Sequence, residues 1–197
     1  MWMSAASPAH SAQDIHTEHA PFCPCAKIFH PKVKYFLYLC NMSEVELYLI
    51  NESENCTIYT LQFLRDTENE FEKFISKFID DAEYSEDYSR IAAFITRIAR
   101  TGAQERYFRR EGKATDSVVA LPVIASKLRL YCLRLSDKIL ILGNGGVKKT
   151  RTYEEEENLK AYVMTLQKFE KLLNEGISEG SVTVTESTIE TDNIFEL

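Results

Sequence analysis

Basic side chains surround two neighbouring strands that are predicted in the segment KLRLYCLRLSDKILILGNGGVKKTRTY, residues 127–153. Apolar and basic residues alternate along this segment, and Ser136 and Asp137 mark a short hairpin turn between the strands. Arg129 and Arg134 lie in the first strand, and Lys148, Lys149 and Arg151 follow the second. Arginine and lysine side chains that stay charged at neutral pH suit the binding of phosphate oxygens. The segment therefore predicts a surface that binds the phosphate backbone of a nucleic acid.

This local positive charge contrasts with the acidic character of the whole chain, whose formal net charge is -7. Residues 42–96 contain 13 acidic and 4 basic residues, whereas residues 97–151 contain 13 basic and 4 acidic residues. Charges of opposite sign are thus separated along the chain. We expect a folded domain with an anionic part and a cationic part, of which the cationic part is the candidate working surface.

Hydrophobic periodicity predicts eight elements in the order β-β-α-α-β-β-β-α. The predicted strands cover residues 46–50, 57–64, 117–121, 127–135 and 138–142. A first helix capped by Asp66 or Thr67 reaches Ile79, and two further helices are predicted over residues 86–100 and 154–173. Runs of helices and runs of strands without regular alternation indicate an α+β fold. We expect two N-terminal helices packed on a small antiparallel sheet, with a C-terminal helix.

The composition of the chain changes near both ends. Residues 1–41 contain all four histidines, most of the prolines and no amphipathic period, which predicts a disordered leader or an over-long start. Residues 175–197 contain six acidic residues and no basic residue, which predicts a disordered acidic tail. Residues 42–174 lie between these segments and form the predicted domain.

The five cysteines are scattered along a chain in which no signal peptide is recognised, and this pattern favours reduced thiols over a disulfide framework. Cys23 and Cys25 with His30 could suggest a zinc site, but the two cysteines are tightly spaced and only Cys40 offers a plausible fourth ligand. An unstructured leader that contains thiols is the favoured interpretation, and neither a metal nor a cofactor is predicted. No apolar run approaches the roughly 18 residues of a membrane-spanning helix, and a cytoplasmic protein is expected.

The strand sequence LRLYCLRLSDKILIL, followed by GVKKTRTYEEEENLKAY, resembles the RelE/ParE-type toxin superfamily, and within it the HigB-like branch. In that branch two helices precede an arginine-tyrosine strand, a turn, an aliphatic strand and a lysine pair that leads into the final helix. The resemblance implies the toxin of a type II toxin–antitoxin system that cleaves mRNA on the ribosome. It also implies a cognate antitoxin of helix-turn-helix type as the protein partner, and no cofactor.

The resemblance assigns roles to individual residues of this chain. The implied catalytic residues are Arg129, Lys148, Lys149 and Arg151. The implied RNA-binding residues are Arg106, Arg109, Arg110, Lys113, Arg134 and Tyr153. In-line cleavage of RNA by its own 2'-hydroxyl needs a base, a cation that stabilises the phosphorane charge, and an acid for the leaving oxygen. The cations of the first set suit the second of these roles.

Two features depart from the pattern of the family. The chain has no histidine after His30, and residues 42–174 contain 20 basic and 22 acidic residues, so that the domain is close to neutral. These departures favour an alternative, a non-catalytic RelE/ParE-fold toxin or relative that acts by binding a protein such as gyrase or only its antitoxin. A third alternative is an unrelated small interaction domain. A neighbouring gene for a helix-turn-helix protein is expected under both toxin hypotheses and not under the third.

Overall fold

Nine strands and three α-helices make up the part of the chain that the computed structural model describes, which is residues 43–110, 117–122, 126–150 and 152–197. The strands are β1 (Glu44–Asn51), β2 (Thr57–Phe63), β3 (Arg109–Arg110), β4 (Val118–Pro122), β5 (Leu128–Arg134), β6 (Ile139–Val147), β7 (Thr183–Val184), β8 (Ile189–Glu190) and β9 (Phe195–Glu196). The helices are α1 (Glu70–Phe78), α2 (Ser85–Thr101) and α3 (Glu157–Glu179).

Seven of the strands form one mixed sheet in the order β3-β4-β5-β6-β2-β1-β9, and β7 pairs with β8 in a separate hairpin. Strands β2 and β6 run parallel, whereas the other neighbours in the large sheet are antiparallel. The expected fold, two N-terminal helices on a small antiparallel sheet with a C-terminal helix, is therefore wrong. The hairpin of β1 and β2 precedes the helices and enters the sheet beside β6, which widens the sheet and makes it mixed.

Both faces of the central strands β5 and β6 are buried, whereas much of β1 is exposed. On one face α1 and α2 pack against Leu128, Leu130 and Cys132 of β5, and on the other face α3 packs against Tyr131 and Leu133. Successive side chains of a strand point to opposite faces, so one strand supplies both cores. A strand with apolar residues on both faces reads as a nearly continuous apolar run, which is how LRLYCL and ILIL appear in the sequence.

The helix boundaries are set by local hydrogen bonds. Asn69, and not Asp66 or Thr67, caps α1: its side chain accepts a hydrogen bond from the Glu72 backbone N at 2.9 Å. The Glu72 carboxylate in turn accepts a hydrogen bond from the Asn69 backbone N at 2.9 Å, which completes a capping box. Helix α3 begins three residues later than expected because Tyr153–Glu155 forms a 3-10 turn, and it ends at Gly180, whose φ of 78° favours glycine.

The C-terminal segment belongs to the fold, so the expectation that it is a disordered tail is wrong. Val182, Ile189 and Phe195 are buried in the core under α3. Strand β9 pairs with β1, and Leu197 and Ser43 exchange backbone hydrogen bonds of 3.0 and 3.2 Å. The acidic side chains of this segment lie between buried apolar residues, which a count of charges alone does not reveal. The expected leader, residues 1–41, lies outside the described residues.

Candidate nucleic-acid interface

The open end of the β5–β6 hairpin brings together cations that are far apart in the sequence. Arg129 lies opposite Gly146, and the Lys148 backbone N donates to the Lys127 backbone O at 2.8 Å. Directly opposed residues of antiparallel strands have Cα atoms about 5 Å apart. The hairpin therefore places Lys127, Arg129, Lys148 and Lys149 at one end of the central strands β5 and β6, and we call this group the cationic corner.

Backbone carbonyl groups hold the guanidinium group of Arg129 in place. Its Nη1 donates to the backbone O of Ser126 at 2.8 Å and to that of Leu128 at 2.7 Å. The Nε atom is buried, and no residue of the described ranges accepts a hydrogen bond from it. Two bonds to the local backbone fix the orientation of the group, and a buried donor without an acceptor is a feature that functional sites often retain. The Arg129 side chain is thus preorganised at the cationic corner.

Gly145 permits the close packing that supports Arg129. Strand β6 contains a bulge where Leu130 pairs with Gly145 and Cys132 pairs with Leu142. A Cβ atom added at Gly145 would lie 2.0 Å from the backbone O of Arg129, a distance that no real side chain shows. At Gly146 an added Cβ would meet only the Leu159 side chain, at 3.0 Å.

We expect Gly145→Ala to lower the free energy of unfolding by about 2 kcal/mol, because the strand backbones must separate to relieve the clash. Gly146→Ala is the matched control: a flexible leucine side chain can shift, so its effect should stay below about 1 kcal/mol. Urea unfolding followed by circular dichroism measures both variants. Equal losses for the two alanines would contradict this account of the bulge.

The loop after β6 is tied to the start of α3 by Glu156. One carboxylate oxygen, Oε1, accepts hydrogen bonds from the backbone N atoms of Lys149 at 2.5 Å and Thr150 at 2.9 Å, and from the Thr150 hydroxyl at 2.9 Å. Burial opposes ionisation of Glu156, but these hydrogen bonds and the charge of Lys149 outweigh it and lower the pKa of the carboxyl group. A carboxylate is therefore an integral part of the cationic corner at neutral pH.

Tyr153 packs against the protein core. It lies in the 3-10 turn before α3, and its ring meets the ring of Tyr131 edge-on with centroids 6.4 Å apart. Tyr131 is fully buried, whereas Tyr153 is partly buried beside the same apolar cluster. The contact positions Tyr153 near Arg129, because Tyr131 and Arg129 lie on the same side of β5.

Arg134 lies at the opposite end of β5, and its side chain is held by contacts within the protein. Its Nε donates to the backbone O of Ala103 at 2.6 Å, and its Nη2 forms an ion pair with Asp137. It therefore links the end of α2 to the β5–β6 turn. Together with Arg110 it also lines a cleft of about 350 Å³.

The other described arginines of the expected RNA-binding set follow the same end of α2. Arg106 lies over the Tyr107 ring, 5.3 Å from its centroid, and Arg110 forms an exposed ion pair with Glu105 at 3.2 Å. Hydrogen bonding with Thr101, and then with Arg106, lowers the pKa of Tyr107. Arg109 is exposed on the edge strand β3, opposite Ala120.

The expected cations do not share one open sheet surface. Arg129 and Arg134 are five positions apart on β5, which is about 17 Å along the strand, and they lie on opposite faces. Helices cover both faces of the central strands, so these cations stand at strand ends and on the edge strand β3. The structure brings Arg129, Lys148 and Lys149 together and packs Tyr153 against Tyr131, on the same side of β5 as Arg129. It places Arg106, Arg109, Arg110 and Arg134 in a second group. Lys113 and Arg151 lie outside the described residues.

A buried polar cluster beside the cationic corner was not anticipated from the sequence. Asn144, which is 3% exposed, donates from Nδ2 to the Glu70 carboxylate at 3.0 Å and accepts from Lys77 Nζ at 3.3 Å. Lys77 also donates to the Tyr162 hydroxyl at 2.9 Å. The cluster joins α1, the β6 bulge and α3, and it positions the strand that leads to Lys148. The sequence feature that could have revealed this cluster is Asn144, a polar residue between two glycines in an otherwise apolar strand.

Among the described residues, no group of three or more histidine, cysteine, aspartate or glutamate side chains is arranged to hold a metal ion. No helix in the described ranges has the length and apolar character needed to cross a membrane. No protein-family model, no curated protein and no solved structure matches this chain.

Proposed function

We propose that this protein is the toxin of a type II toxin–antitoxin pair, that it binds RNA at the cationic corner, and that it cleaves mRNA on the ribosome. The observation that carries the proposal is the convergence of Arg129, Lys148 and Lys149 at the open end of the β5–β6 hairpin. The proposal rests further on the resemblance of the strand sequence and the lysine pair to RelE/ParE-type toxins, although the mixed sheet with its β1–β2 hairpin differs from the architecture which that resemblance implies.

The proposed reaction is an intramolecular transesterification of RNA. The 2'-oxygen attacks the adjacent phosphorus and loses its proton to a base, the bond to the 5'-oxygen breaks, and an acid protonates that oxygen. The products are a 2',3'-cyclic phosphate and a 5'-hydroxyl end. Arg129 donates hydrogen bonds to the phosphorane oxygens, and its fixed orientation avoids reorganisation during the reaction.

Proton transfer in this proposal falls to groups other than histidine, since the chain has none after His30. The titratable groups at the corner include the ammonium groups of Lys127, Lys148 and Lys149 and the carboxylate of Glu156. An ammonium group can protonate the leaving oxygen, and a carboxylate or a neutral amine can accept the proton of the 2'-hydroxyl. Lys127 and Lys149 are exposed and available to the RNA backbone.

A second candidate function, protein binding by a non-catalytic member of the same toxin class, is favoured by the acidic part of the chain. Residues 42–96 carry nine more acidic than basic residues, and Tyr48 and Leu49 of β1 are about half exposed. Such a surface suits a basic protein partner better than RNA. An antitoxin is expected as a partner under both candidate functions.

Expression of the protein without an antitoxin separates the two candidates. We expect growth to stop, and we expect translated mRNA to acquire new 5'-hydroxyl ends within coding regions when the ends are mapped genome-wide. The same cells treated with an inhibitor of translation initiation serve as the control, because cleavage on the ribosome requires translation. Growth arrest without new mRNA ends would reject the ribonuclease and support a protein target such as gyrase.

A further inference from the structure

One oxygen of the Glu156 side chain fills a small cradle of hydrogen-bond donors at the cationic corner. The donors are the backbone N–H groups of Lys149 and Thr150 and the hydroxyl of Thr150, with distances of 2.5, 2.9 and 2.9 Å to Oε1. Consecutive backbone N–H groups that converge on one point form an anion-binding concavity. We call these three donors the anion cradle.

The position of Glu156 makes this arrangement unusual. Glu156 is the N-cap residue of α3, yet its side chain makes no capping hydrogen bond to that helix. An aspartate at this position ordinarily accepts a bond from the backbone of the first helical turn, whereas the longer glutamate side chain makes no such bond here. Here the carboxylate binds the loop after β6 instead, so the anion cradle holds an anion supplied by the protein itself.

We propose that the anion cradle is the binding site for a phosphodiester oxygen of RNA, and that Glu156 occupies it until RNA displaces the carboxylate. RNA is the ligand if the proposed function holds, and this part of the proposal rests on that function. Binding of a phosphate oxygen depends only on the donors of the cradle and on the cations beside it.

Charge balance makes the exchange feasible. A phosphodiester and a carboxylate each carry one negative charge, so replacing one by the other preserves the hydrogen bonds between charged acceptor and donors. Glu156 is only partly buried, and its released carboxylate can be solvated by water. Lys149 is exposed beside the cradle and Arg129 is fixed at the same corner, so an entering phosphate gains cations that Glu156 alone does not fully use.

Self-occupation lowers the apparent affinity for RNA. A site that is vacant in only a fraction of the molecules binds its ligand more weakly by that same fraction. If Glu156 instead serves only to order the loop, removing its carboxylate should weaken the binding of RNA, because a disordered loop presents its donors less well. The direction of change on removing the carboxylate therefore distinguishes the two roles.

The test compares Glu156→Gln with Glu154→Gln. Both remove one negative charge from the same glutamate run, but Glu154 is exposed and lies outside the anion cradle. The probes are inorganic phosphate and a short single-stranded RNA whose 2'-hydroxyls are methylated so that it cannot be cleaved. Binding is followed at constant ionic strength through the amide resonances of Lys149 and Thr150. We expect Glu156→Gln to bind both probes about tenfold more tightly than the wild type, and Glu154→Gln to stay within about twofold.

A measurement on the wild type keeps the proposal testable if Glu156→Gln folds poorly. Saturation with phosphate should move the carboxyl carbon resonance of Glu156 to the position of a solvated glutamate, together with the two amide resonances. An unchanged Glu156 resonance at saturation, or a Glu156→Gln variant that binds no more tightly than Glu154→Gln, would overturn the proposal.

Two further outcomes separate the cradle from the proposed function. Binding of phosphate without binding of the RNA would reject RNA as the ligand. Binding of both probes by a protein that cuts no mRNA in cells would support the cradle and reject only the ribonuclease.

Discussion

Replacing Arg129 by alanine should, under the proposed ribonuclease function, reduce mRNA cleavage by about a hundred- to a thousand-fold, the loss that removal of one transition-state hydrogen-bond donor typically causes. Two backbone carbonyl groups orient the guanidinium group before substrate arrives, so water cannot reproduce its position in the variant. The measurement is the rate at which 5'-hydroxyl ends appear in a translated reporter mRNA after induction. Growth inhibition should be lost in parallel.

Two further variants control this experiment. Arg129→Lys keeps the charge but not the planar pair of donors, and we expect it to recover only part of the rate. Arg90→Ala removes an arginine of α2 that makes exposed ion pairs with Glu86 and Asp87, and it should leave cleavage unchanged. Antitoxin binding and the thermal melting curve should show that Arg129→Ala remains folded. A folded Arg129→Ala variant that cleaves at the wild-type rate would remove Arg129 from the mechanism.

Replacing Phe195 by alanine should lower the free energy of unfolding by about 3 kcal/mol, the lower part of the range for phenylalanine in a protein core. Phe195 is 5% exposed, and its ring meets the ring of Phe169 edge-on with centroids 4.9 Å apart. The side chain also stands on β9, the strand that pairs with β1 at the edge of the sheet. Its loss leaves a cavity between α3 and the sheet.

Ile194→Ala provides the matched control for Phe195→Ala. Ile194 is the preceding residue and is 54% exposed, so its replacement should change the free energy of unfolding by no more than about 0.5 kcal/mol. Urea unfolding of both variants, followed by circular dichroism, gives the comparison. Equal stability of the two variants would show that the C-terminal segment is the dispensable acidic tail that its composition suggests.

Local patterns in the sequence are sufficient to predict where most elements lie. The predicted strand over residues 57–64 corresponds to β2 at Thr57–Phe63, and the predicted helix over residues 86–100 corresponds to α2 at Ser85–Thr101. Side chains repeat every two residues in strands and every 3.6 residues in helices, so burial leaves a periodic trace in one chain. The resemblance to RelE/ParE-type toxins also depends on local order, and that family assignment stays a prediction.

Local patterns fail where distant residues decide the structure. Strand β6 was predicted over residues 138–142 but extends to Val147, because the backbone of Gly145 packs directly against that of Arg129. The C-terminal segment is ordered because Val182, Ile189 and Phe195 find apolar partners under α3, although charge dominates its composition. Neither contact is visible from neighbouring residues alone.

The sequence by itself determined the types and order of the main elements and the presence of cations around the β5–β6 hairpin. The tertiary structure alone decided which of those cations meet. Strand alternation and the helices on both faces separate Arg129 from Arg134, while the pairing of β5 with β6 unites Arg129 with Lys148 and Lys149. Pairing between strands and packing of helices depend on contacts across long stretches of chain, and a local pattern does not specify the partner of such a contact.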